Sequence, residues 1–197
     1  MAYSSVSHLG FVVLGTFALT VQSISGAVLQ MVNHGLSTGA LFLMVGMLYE
    51  RRHTRQLDAF GGVWKVMPVL GSLGLIITLS SMGLPGLNGF VGEFTILLGT
   101  FGSAVLGTPW FAGLATLGVI LAAVYLLFMF EKVFLGPVTH EENRGLKDLN
   151  AREILTLLPL LVVIFWIGLY PKPFFALINP TVEQLVALVQ SAAVALH

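Results

Sequence analysis

No aspartate, glutamate, lysine or arginine occurs between residues 1 and 49, and from 66 to 130 the only one is Glu93. Runs of that length constrain the fold more than anything else in the chain. About 20 consecutive apolar residues cross the roughly 30 Å of bilayer hydrocarbon, so the first run holds two spans, expected near 3–21 and 28–48. Composition agrees: 56% of the 197 residues are hydrophobic and 9% charged, against about 25% charged in a soluble domain. The chain reads as an all-α integral membrane protein.

The second run contains the anomaly. Residues 83–94 read GLPGLNGFVGEF, placing helix breakers and a carboxylate inside an apolar segment. One straight helix over 66–100 would be about 50 Å long, well beyond the hydrocarbon thickness, and two separate spans do not fit. A single span broken at 83–89 does fit, with Gly83, Pro85, Gly86 and Gly89 at the break. Backbone freed there needs protein or water as a partner. Further spans are expected near 111–131 and 153–170. Residues 1–171 therefore form a bundle of five transmembrane helices, the third discontinuous, and 172–197 form a C-terminal tail outside it or at the interface.

The basic residues orient the bundle. Arg51, Arg52, Arg55 and Lys65 fall between spans two and three, and Lys132, Arg144, Lys147 and Arg152 between spans four and five. Alternating spans put both loops on one side, which is cytoplasmic by the positive-inside rule. The N-terminus is then cytoplasmic and the C-terminus outside. Trp64, Trp110, Trp166 and Tyr170 near span ends suit an aromatic belt, and Glu131–Lys132 a snorkelling pair.

Polar residues at membrane depth are the candidate functional groups. An ionised Glu93 costs about 2.5–3.5 kcal/mol at mid-bilayer even on lenient scales. Burial favours its neutral form and the nearby start of a half-helix its anion, so it can exchange a proton. His34 lies on span two with Gln30 and Thr38 at four-residue spacing, Asn33 and Ser37 one position off the line. His8 carries Ser4 and Ser5 on its own face. Glu93, His34 and His8 are the expected proton path, and Ser4, Ser7, Gln30, Asn33, Ser37 and Thr38 the supporting polar stripe. Charge gives no nucleic-acid footprint, and no cysteine is available for a disulfide or an iron–sulfur cluster. No catalytic nucleophile, cofactor or metal motif is found, since nothing fixes a ligand spacing among His8, His34 and Glu93.

The segments AYSSVSHLGFVVLG, GAVLQMVNHGLSTGALFLMVGMLYERRHTR and GLPGLNGFVGEF resemble the proton-translocating antiporter-like subunits of NADH:quinone oxidoreductase, respiratory complex I. YERRHTR points among them to subunit M (chain 4). The likeness covers essentially the whole chain and implies helices ten to fourteen of a fourteen-helix fold, its C-terminal portion. It implies that His8 and His34 are relay histidines and Glu93 the carboxylate of the output half-channel. The family's lysines on earlier helices have no counterpart here. Helices one to nine and the other membrane-arm subunits are the implied partners. NADH, flavin, iron–sulfur clusters and quinone would reside in partner subunits, with none in this chain, which would be a non-redox part of a translocase in the bacterial inner membrane. The alternatives are a subunit of a multisubunit cation/proton antiporter or membrane-bound hydrogenase, and a structural scaffold without proton flux.

Overall fold

The computed structural model describes residues 3–195, with side chains up to residue 192. Its helices are α1 (Ser4–Phe17), α2 (Val21–Arg52), α3 (Val63–Val66), α4 (Pro68–Ser81), α5 (Asn88–Phe101), α6 (Trp110–Phe134), α7 (Glu141–Arg144), α8 (Ala151–Leu169) and α9 (Lys172–Ala195), with one short 3-10 turn at Leu57–Ala59. No strand forms among the described residues. α2, α6 and α8 are long and apolar enough to cross a membrane, and α1 and α4 are shorter apolar helices.

Local chemistry explains where these helices start and stop. Thr20 and Ser23 form a reciprocal capping box at the head of α2, and Asn150 and Glu153 form another at the head of α8. α4 opens with Pro68 at its first position, where a missing N–H costs nothing. Its next two amides donate to the Asp148 carboxylate, Val69 at 2.8 Å and Leu70 at 3.2 Å.

The third span is discontinuous, and its break is built from its own backbone. α4 closes in a Schellman motif: Leu84 N–H donates to Leu79 O at 3.0 Å and Gly83 N–H to Ser80 O at 3.3 Å. Gly83 takes the left-handed position that the motif requires, at φ 80°. The chain then turns through Pro85 and Gly86 and restarts as α5 at Asn88. Gly89 belongs to α5, where a Cβ would collide with the Ser80 carbonyl. α8 covers the break, because Gly168 lets the two backbones meet at Gly86 and Leu87.

α2 is the central strut and packs most closely on α5, then on α1. The largest apolar core lies toward the basic end, where Leu41, Met44, Leu48, Phe60, Leu70, Ile77, Leu126, Phe130, Phe134 and Leu157 interlock. Trp64 belongs to that core instead of a surface belt, its ring edge-on to Phe130 at 5.6 Å. Toward the other end the apolar clusters are small: Phe11, Ala27 and Ile96, then Ile24 with Val182 and Val186 of α9. Lys172–Ala195 is thus a 24-residue helix laid against the start of α2. At the basic end, Arg51 donates to both Glu153 oxygens at 2.8 Å and to the carbonyls of Met47, Lys147 and Asp148. This clamp ties α2 to α8.

Candidate functional site: a buried acid at the helix break

Glu93 is the sixth residue of α5, one turn beyond the break, and 4% exposed. Its Oε1 accepts a hydrogen bond from Gln30 Nε2 at 3.1 Å and lies 2.8 Å from His8 Nδ1. α2 and α5 approach closely enough for this because residue 92 is glycine: a Cβ there would run into the Gln30 side chain. Its second oxygen lies beside Gly83, 3.2 Å from where a Cβ on that residue would stand. An isolated buried carboxylate is expensive, and a hydrogen bond to a charged group returns about 1.5–3 kcal/mol.

The polar stripe on α2 continues this network toward the basic end. Gln30 Oε1 accepts from Asn33 Nδ2 at 3.3 Å, and the same Asn33 amide donates to the Asn88 carbonyl at 2.7 Å. Asn88 Nδ2 returns a bond to Asn33 O at 3.4 Å. The Asn88 side-chain oxygen accepts from Ser37 and Ser80, whose hydroxyls are 2.7 Å apart. The first residue of the second half-helix is therefore held by α2 and by the last turn of the first half-helix. A 3.6-residue period places these groups on one face of α2. The break supplies the partners that face would otherwise lack.

His34 stands one step away. Its Nδ1 is 3.3 Å from Thr38 Oγ1, and its ring is 5.9 Å from the His8 ring at a tilt of 56°. Between them is a cavity of about 10 Å³, bordered also by Gln30, Asn33, Ser37, Ser80 and Gly89. That is close to the minimum for one water molecule, and the lining offers the polar partners it needs. Ser4 is buried at the other end of the His8 helix face, while Ser7 is half-buried and outside the network. On the side of Glu93 away from the basic end, the seam ends at Phe11, Ala27 and Ile96.

The structure thus brings Glu93, His8, Gln30, Asn33, Ser37, Thr38 and His34 together around the break. Asn88 and Ser80 join them, and residue pattern alone does not single these two out. In sequence Asn88 marks the expected start of the second half-helix, but nothing there shows the partners that hold it. Tyr125 is a second omission. It is the sole hydroxyl between Thr116 and Glu131 on α6 and stands close to Ser4 and Glu93. His53, grouped in sequence with the loop arginines, ends α2 in a left-handed conformation at φ 50°.

Residues 1–122 match the family described as "NADH:quinone oxidoreductase/Mrp antiporter, TM". The chain belongs to that family. It is 44% identical over 185 residues to the NADH-quinone oxidoreductase subunit M of Rickettsia typhi, covering 94% of this chain and 37% of that protein. With the subunit M of Mycobacterium tuberculosis the identity is 42% over 184 residues, covering 93% and 32%. Its fold superposes on a chain of respiratory complex I from Thermus thermophilus with bound NADH, at a TM-score of 0.87 and 36% identity, over 95% of this chain and 38% of that one. A chain of the Mrp complex from Dietzia sp. DQ12-45-1b gives a TM-score of 0.81 at 18% identity, a likeness of fold alone. The chain therefore spans about a third of the length of these curated relatives. It is an integral membrane chain of this antiporter-like family.

Proposed function

We propose that this chain carries the outward portion of a proton path in the membrane arm of an NADH:quinone oxidoreductase, with Glu93 as the exchangeable acid. The contact between His8 Nδ1 and Glu93 Oε1, 2.8 Å long and sealed from lipid, carries this reading. Imidazole is the side chain suited to hand protons on near neutral pH. An imidazolium at His8 gives its Nδ1 proton to the Glu93 carboxylate and is left as the neutral Nε2–H tautomer, and exchange back to the Nδ1–H tautomer frees Nε2 to take the next proton. His34 supplies that proton across the single-water cavity. The helix break serves this chemistry by turning Asn88 and the Ser80 hydroxyl inward, so that the acid sits in a polar seam at membrane depth. Phe11, Ala27 and Ile96 cap the seam on its outer side, and a proton leaves only when that plug moves or wets.

Direction follows from the basic residues, which cluster at one end with Arg51 on Glu153 and Arg52 on Glu142. That end faces the cytoplasm, protons leave toward the opposite face, and the membrane is the bacterial inner membrane. The spans of the bundle are those near 3–21, 28–48, 66–100, 111–131 and 153–170. Driving energy comes from electron transfer in partner subunits that hold the redox cofactors, and the relay steps before His34 lie on partner helices. A cation/proton antiporter subunit is the second reading, since the family spans both. The identities of 36–44% with oxidoreductase chains, against 18% with the Mrp chain, favour the first. The test is Glu93→Gln in the assembled complex, measuring protons moved per electron. The ratio falls if Glu93 carries the protons, and an unchanged ratio rejects the assignment.

A further inference from the structure

The cavity between His8 and His34 is edged by hydrogen-bonding groups, most of them already engaged. Gln30 Oε1 accepts from Asn33 Nδ2, the Ser37 and Ser80 hydroxyls meet each other and Asn88, and Thr38 Oγ1 meets His34 Nδ1. Two lining atoms are left over. Asn33 Oδ1 and Ser81 Oγ have no hydrogen-bond partner among the described residues, although their residues are only 1% and 5% exposed. Buried polar atoms are normally paired, so two orphans on one water-sized cavity point to a shared partner.

The two imidazoles complete the set. His8 Nδ1 is committed to Glu93 and His34 Nδ1 to Thr38, which leaves Nε2 as the unengaged nitrogen of each ring. The ring centroids are 5.9 Å apart, and no hydrogen bond joins the rings directly. At about 10 Å³ the cavity admits one water and no second.

We propose that Asn33 and Ser81 are positioning residues that hold a single relay water between His34 and His8, an inference that rests on the proton path through Glu93. A water donates two hydrogens and accepts two, and this site offers two groups of each kind. The Asn33 side-chain oxygen can only accept, so it takes one water hydrogen and fixes the orientation of the molecule. The other water hydrogen goes to His8 Nε2, the acceptor when that ring is the Nδ1–H tautomer. The Ser81 hydroxyl and the His34 Nε2–H donate to the water oxygen. In the transfer the water oxygen takes the Nε2 proton of a His34 imidazolium while its own hydrogen passes to His8 Nε2. His34 ends neutral, His8 ends as the imidazolium, and the water is restored. Ser81 is the last residue of α4 and Asn33 belongs to α2. The water is therefore held by the same two helices that hold Asn88 at the break.

The experiment compares Ser81→Thr with Ser81→Val in the assembled complex, by high-resolution electron cryo-microscopy and by protons moved per electron. Threonine and valine share a shape and differ by the hydroxyl, so any crowding by the larger side chain is common to both. Water density between the two imidazoles, within about 3.2 Å of residues 33 and 81, is expected in the unaltered complex, in Ser81→Thr and in Glu93→Gln. It should be lost in Ser81→Val, and the proton-to-electron ratio of that variant should fall below that of Ser81→Thr. An empty cavity in the unaltered complex, or density that persists in Ser81→Val, would overturn the site. Equal ratios in the two Ser81 variants, beside a lowered ratio in Glu93→Gln, would leave the path standing and overturn the positioning role. An unchanged ratio in Glu93→Gln would reject the path itself, and a water still visible there would be structural and no relay.

Discussion

Glu93 and Glu153 are both acids withdrawn from solvent, at 4% and 6% exposure, yet their surroundings give them opposite properties. Glu153 receives both ends of the Arg51 guanidinium at 2.8 Å, while its own oxygen also holds the N-cap amide of α8. A guanidinium keeps its charge at any physiological pH, so that carboxylate stays ionised and the pair holds two helices together. Glu93 instead meets an amide and an imidazole, neither of which carries a permanent charge. No fixed positive charge stands against Glu93, which is what its proposed role as the exchangeable acid requires. Burial alone does not make an acid functional; the nature of its partner decides whether it holds or exchanges.

The largest effect that would break this comparison concerns the exchanging acid. Glu93→Gln keeps the shape but cannot take up or release a proton, so flux through this subunit should fall at least about a hundredfold, the lower range for loss of a proton-transfer group. Glu153→Gln should leave the proton-to-electron ratio of assembled complexes unchanged. Equal losses in both variants, measured by acidification against electron flow, would erase the distinction. The holding acid gives the next effect. Arg51→Met strands the Glu153 charge and should cost about 3 kcal/mol of stability, read as a lower dissociation temperature of the membrane arm.

A smaller change comes from His8→Gln, which still offers a hydrogen bond to Glu93 but cannot relay. Proton flux should drop by less than in Glu93→Gln, with thermal stability shifted by no more than about 1 kcal/mol. The least effect is expected from Gly83→Ala. A side chain at φ 80° costs about 1–2 kcal/mol, and the added methyl would press on Glu93 Oε2. Thermal shift and flux should therefore move together in that variant, unlike the other four.

The fold was legible where the sequence breaks a rule. Pro85 and the glycines of GLPGLNG could not sit in a straight apolar helix, and the discontinuity between Ser81 and Asn88 follows from them. The polar face of α2 was legible from spacing, because Gln30, Asn33, His34, Ser37 and Thr38 follow one helical stripe. Contacts across helices were not. Arg51 and Glu153 are 102 residues apart, and a span register good to a few residues cannot say which loop charge meets which. Asn88 was legible as the start of the second half-helix but not as a hub, since that role depends on Asn33, Ser37 and Ser80 arriving from two other helices. The course of residues 172–195 escaped as well. Their mild amphipathicity gives no packing partner, and the contact of Val182 and Val186 with Ile24 at the start of α2 is visible only in the structure.

The most direct measurement is infrared difference spectroscopy of the complex during turnover, in ordinary and heavy water. The account predicts a carboxylic-acid carbonyl band that appears and disappears with the redox cycle, shifts on deuteration, and vanishes in Glu93→Gln but persists in Glu153→Gln. A spectrum in which no such band is lost with residue 93 would mean that this acid keeps one protonation state throughout, and the exchange that sets it apart from Glu153 would not occur.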